Sequence, residues 1–120
     1  MRDEICIEEL EIMARVGVPD EERAQPQRLT VSLVLQPPVN FGDLNDDLSR
    51  TVDYAGVCEE IRRFVSNRQG RLIETLAHEI AEYLLRHFQL SRVEVELRKF
   101  ILPETRYVAV RVTREIPRAS

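Results

Sequence analysis

Lys99 falls on the same pleat as Val93, Val95 and Leu97, so an unbroken strand would aim its amine toward an apolar layer. A lysine held out of water there can give up its proton and act as a general base. Periodicity by itself favours a plainer outcome, in which the strand ends at Arg98 and Lys99 bends into solvent. Glu74 stands in the first turn of a strongly periodic helix, off its apolar stripe, where the helix dipole stabilises a carboxylate. That placement is explained by structure alone, yet the same fixed carboxylate could accept paired hydrogen bonds from a planar N–H edge, such as that of a guanidine-like heterocycle. Tyr54 follows Asp53, a candidate helix cap, and its phenol can either pack or donate a proton. Glu21, Glu22 and Arg23 form a charged run in a loop, most simply a solvated surface. His78 and His87 face different sides of one helix with no third ligand near, so no metal site is expected.

The elements that must position these residues follow from hydrophobic period. Ile5 and Ile7 alternate on one phase and Leu10, Ile12, Ala14 and Val16 on the other, which predicts a long strand with a bulge near Glu8 and Glu9. A polar loop after Gly17 leads to a second strand carrying Leu29, Val31, Leu33 and Leu35, closed by Pro37 and Pro38. Asn40 to Arg50 reads as a loop rich in turn formers. Val57, Ile61, Phe64 and Val65 mark one helical face, and Ser66 to Gly70 breaks that helix. Leu72, Ile73, Leu76, Ala77, Ile80, Ala81, Leu84, Leu85 and Phe88 form an unbroken stripe on a second helix. Two more strands alternate through Val93–Leu97 and Val108–Val112.

The order ββααββ in so short a chain predicts an α+β fold: one four-stranded antiparallel sheet with both helices on one face. The other face, with Cys6, Glu8, Thr30, Ser32, Glu94, Glu96 and Thr113, is then left to water or to the lumen of a ring. Length fits a single domain over residues 1–120 with one core. At 43% hydrophobic and 32% charged the chain should fold, and a net charge of -4 argues against a nucleic-acid partner. Cys6 and Cys58 stand in no paired spacing that would suggest a redox motif or disulfide framework. No signal peptide or membrane span is read, which makes the cytoplasm the default location.

Taken in order, these features resemble the dihydroneopterin aldolase family from Ile5 to about Thr113. Gly17-Val18-Pro19-Asp20-Glu21-Glu22-Arg23 followed by Gln27 is similar to the family's Gly-Val, Glu-Arg and Gln pattern, and Thr51-Val52-Asp53-Tyr54 to its most recognisable tetrapeptide. Leu72-Ile73-Glu74-Thr75-Leu76-Ala77 is similar to the helix start that reads the pterin, and Lys99 ends its strand as the family's lysine does. Phe100 departs from the pattern, standing where the family usually has proline.

The resemblance implies the tunnelling fold, with sheets of several subunits joined into a barrel and active sites between neighbours, as an octamer of two stacked tetrameric rings. It implies retro-aldol cleavage of dihydroneopterin to hydroxymethyl-dihydropterin and glycolaldehyde, with no metal, cofactor or Schiff base. Lys99 would be the base and a neighbour's Tyr54 would assist protonation. Glu74 would hold the pterin edge with Val52, Asp53 and Ile73 beside it, and Glu22 would position the side-chain hydroxyls. The alternatives are the related dihydroneopterin triphosphate epimerase and a non-catalytic pterin-binding ring protein.

Overall fold

The computed structural model describes residues 3–117. Its elements are β1 (Ile5–Val16), α1 (Asp20–Arg23), β2 (Gln27–Gln36), α2 (Tyr54–Ser66), β3 (Gln69–Gly70), α3 (Ile73–His87), β4 (Arg92–Lys99) and β5 (Val108–Glu115), with short 3-10 turns at Phe41–Asp43 and Leu48–Arg50. The sheet runs β3-β1-β2-β4-β5. Its four long strands pair antiparallel, as their alternation predicts. The expectation of four strands is short by one: the linker between the helices returns beside β1 as the two-residue β3, parallel to it through Arg15↔Gln69 and Val16↔Gly70. Two residues carry no readable period, so only the ladder reveals this strand.

The phase change in β1 is a bulge. Ile7 pairs with Leu33 and Leu10 with Val31, leaving Glu8 and Glu9 opposite Ser32. Glu9 takes φ 56 and its backbone N–H donates to Ser32 Oγ at 3.0 Å. From there Leu10, Ile12, Ala14 and Val16 all turn to the helix side and are buried.

Those four join Leu29, Val31, Leu33 and Leu35 of β2 and Val93, Val95 and Leu97 of β4 in one layer. Against it α2 lays Val57, Ile61 and Val65, and α3 lays Leu76, Ala77, Ile80, Ala81 and Leu84. Asp53 does cap α2, its side chain accepting from Ala55 N–H at 3.2 Å. The predicted α3 stripe is right except at its ends: Leu72 lies outside the helix and is 45% exposed, and Phe88, partly buried against the core, lies just past the last helical residue.

The opposite sheet face forms a shallow groove of about 380 Å³ that includes Cys6, Glu8, Ser32, Glu94, Glu96 and Thr113. Glu96 lies there between Arg98 and Arg111; burial pushes its carboxyl up, but the two guanidiniums outweigh that and hold it below the usual range. Thr30 contradicts the expectation of a wet side chain: it is fully buried, its hydroxyl without a hydrogen-bond partner among the described residues, flanked across the strands by Glu11 and Arg98. No helix among the described residues is long and apolar enough to cross a membrane.

Candidate active site

Lys99 is the last residue of β4, in register with Leu29 of β2 on one side and Val108 of β5 on the other. The strand therefore continues past Arg98, and the bend into solvent that periodicity favours does not occur. The side chain is only 15% exposed because it has a partner: Lys99 Nζ lies 2.8 Å from Glu22 Oε2, and Glu22 is itself 20% exposed. The charged run at residues 21–23 is thus a surface in Glu21 but not in Glu22.

Local backbone chemistry explains how a loop carboxylate reaches a strand end. Gly17 takes φ 148, and a Cβ there would sit 2.2 Å from the Glu22 carboxyl carbon, so the fold-back of Glu22 requires the missing side chain. Arg23 pins the same loop by donating from Nη1 to the carbonyls of Gly17 and Val18, both at 2.8 Å, while pairing with Asp20. Gln27 Nε2 donates to Glu22 at 2.9 Å and to the Val16 carbonyl at 2.8 Å, tying the carboxylate to β1. The hydrogen bonds from Lys99 and then Gln27 hold the Glu22 carboxyl below its ordinary range against the opposing effect of burial.

Glu74 enters the same space from the start of α3. A cleft of about 270 Å³ is lined by Glu22, Lys99, Ile73 and Glu74, with Val18, Leu72, Ile101, Val108 and Val110 as apolar walls. The first backbone N–H groups of α3 have no acceptor within the helix, since the ladder begins with Leu76 donating to Leu72. The cleft therefore brings together the Glu74 carboxylate at the start of α3, the Arg71 side chain and the Lys99–Glu22 pair among apolar walls.

Four of the residues named from the sequence meet here: Glu22, Ile73, Glu74 and Lys99. Three do not line the cleft. Val52 is buried in the core, Asp53 is occupied as the α2 cap, and Tyr54 begins α2 with its side chain 60% exposed. Sequence reasoning missed Gln27 as the second donor to Glu22 and missed the Glu22–Lys99 pair itself. The available signal was topological: β1 pairs with β2 and β2 with β4, so the loop leaving β1 returns to the end of β4 that carries Lys99. Among the described residues no group of three or more His, Cys, Asp or Glu is placed to hold a metal ion.

The family model described as FolB, dihydroneopterin aldolase, matches residues 5–113. The chain belongs to the dihydroneopterin aldolase family. The family's curated members include the dihydroneopterin aldolase of Streptomyces coelicolor, 34% identical over 103 residues that cover 86% of this chain and 87% of the relative. Among solved structures, Escherichia coli dihydroneopterin aldolase in complex with neopterin superposes with a TM-score of 0.85 at 26% identity, covering 93% of this chain and 98% of that one. The dihydroneopterin aldolase of Burkholderia thailandensis bound to guanine gives a TM-score of 0.79 at 25% identity, covering 97% and 93%. These family likenesses support the tunnelling fold anticipated from the sequence.

Proposed function

We propose that this chain is a dihydroneopterin aldolase, and that its cleft is one chain's share of the active site. The observation that carries the proposal is the convergence of Glu74 with the Lys99–Glu22 pair in one apolar-walled space, in a member of this family. Neopterin and guanine, the molecules bound in the two solved relatives, share an aminopyrimidinone edge with adjacent N–H donors, which a carboxylate such as Glu74 can accept as a pair.

Glu74 and the helix-start N–H groups beside Ile73 hold that edge, and Glu22 takes the hydroxyls of the side chain. Lys99 Nζ, 2.8 Å from Glu22 Oε2, is the amine placed to act as the base in its neutral form. The neutral amine then removes the proton of the 2′ hydroxyl. The C1′–C2′ bond breaks, C2′ leaves as the carbonyl carbon of glycolaldehyde, and the bonding pair passes into the C6=N5 imine of the reduced ring. Protonation of the resulting enamine at C1′ completes hydroxymethyl-dihydropterin. The ring is the electron sink, so the step needs neither a Schiff base nor a metal.

In this reading a neighbour brings Tyr54 as the proton donor, with Val52 and Asp53 beside it, in a cytoplasmic homo-octamer of two stacked rings of four. The test is to incubate the protein with dihydroneopterin and its mono- and triphosphates and identify the products. Glycolaldehyde from the unphosphorylated substrate supports the aldolase; an epimer formed from the triphosphate alone would replace it with the epimerase, and no product with a non-catalytic pterin-binding ring protein.

A further inference from the structure

The backbone ladder around Lys99 ends at Lys99 itself. Leu29↔Lys99 and Lys99↔Val108 are the last pairs on that side of β4, and a terminal residue of a strand is the one most prone to fray. One step further along each strand stand Arg28, Phe100 and Tyr107, and these make contact through side chains. Arg28 Cζ lies 4.8 Å from the centre of the Phe100 ring. Phe100 meets Tyr107 edge to face with ring centres 6.2 Å apart. Arg98, two residues before Phe100 and so on its pleat, places its Cζ 4.4 Å from the Tyr107 ring centre. Arg28 is held in turn by Glu11 of β1 at 3.1 Å.

We propose that Arg28, Phe100 and Tyr107 are positioning residues, a side-chain clamp on the outer pleat that continues the sheet register one step beyond its hydrogen bonds and thereby fixes the direction of the Lys99 amine. The inference rests on Lys99 being the base. Phe100 is 42% exposed, so burial does not explain an aromatic residue there, whereas its lateral contacts span the ends of β2, β4 and β5. Cation–π and edge-to-face contacts are directional, and they set an orientation that a half-exposed aliphatic side chain in the same place would leave free. Ile101, next in the chain, is a wall of the cleft, so the clamp also holds that wall.

The clamp predicts a loss in turnover rather than in binding, because the ring edge is gripped at Glu74, outside the clamp. Phe100→Leu should lower kcat roughly tenfold, within the hundredfold that a misplaced catalytic group can cost, with KM and the thermal midpoint close to wild type. Phe100→Tyr, which retains the ring and directs its hydroxyl to solvent, should restore kcat. Arg28→Met should resemble Phe100→Leu, and the double variant should be no slower than the slower single, since both remove one device. The experiment is steady-state kinetics and thermal unfolding of these variants beside Lys99→Ala. If Lys99→Ala is inactive while Phe100→Leu turns over like wild type, or loses kcat only in step with stability and is not rescued by tyrosine, the clamp is refuted and the base stands. If Lys99→Ala itself turns over normally, the base is refuted and the clamp with it.

Discussion

At the scale of single residues, the site is decided by which carboxylate meets which cation. Glu74 and Glu22 line one cleft, Glu22 paired with Lys99, and the proposed function gives them different tasks, Glu74 holding the ring edge and Glu22 the side-chain hydroxyls. Substituting each should therefore fail differently. Lys99→Ala should lower kcat by about two to four powers of ten, the usual worth of a positioned general base, with a smaller change in KM. Glu74→Ala should raise KM or the neopterin dissociation constant first; equal effects on kcat and KM from both variants would contradict the division of labour. The Glu22–Lys99 pair also has a pH signature. Lys99, and then Gln27, lower the folded-state pKa of Glu22 below its ordinary 4.5, so the stabilisation is present above that value and is lost as pH falls through the lower folded one. Denaturant midpoints of wild type and Glu22→Gln should thus differ most near neutrality and converge below about pH 4.5. Midpoints that differ equally at pH 7 and pH 3 would contradict the pairing.

At the scale of elements, most of the fold was legible because burial imposes period. The phase slip in β1 predicts its bulge, and the α3 stripe predicts the helix that carries Glu74. What could not be read was set by partners far away in the chain. Nothing in Gln69–Gly70 distinguishes a two-residue strand from a turn, and α1 is four residues of charge with no apolar face. Periodicity favoured an exposed Lys99 because it counts neighbours along the strand, whereas the residue that keeps Lys99 in place comes from a loop 77 positions earlier, made possible by Gly17. Alternation alone assigns Thr30 to water, yet it is fully buried, with Glu11 and Arg98 as its cross-strand neighbours. The load on α3 is testable. Leu76, two residues after Glu74 in α3, is fully buried in the core, and Leu76→Ala should destabilise by about 2–5 kcal/mol through the cavity it leaves. A loss under about 1 kcal/mol in chemical denaturation would mean that α3 is not seated as described.

At the scale of the whole molecule, one chain brings Lys99 and Glu74, the proposed base and ring anchor, to one cleft but leaves Tyr54 60% exposed and outside it. If a neighbour supplies that phenol, inactive Lys99→Ala and Tyr54→Phe proteins should recover activity when unfolded together and reassembled. Mixed assemblies then contain sites with Lys99 from one chain and Tyr54 from the other, and light scattering should find rings rather than monomers. No recovery in mixed rings would place both residues' work within one chain. Only resemblance assigns the motif Thr51 to Tyr54 a part in the site, since among the described residues none of the four lines the cleft. The most direct measurement of the central claim is product formation by the purified, assembled protein given dihydroneopterin in the presence of a chelator. The account predicts glycolaldehyde and hydroxymethyl-dihydropterin in equal amounts, released over many turnovers; dihydroneopterin recovered unchanged, or converted to an epimer without glycolaldehyde, would contradict it.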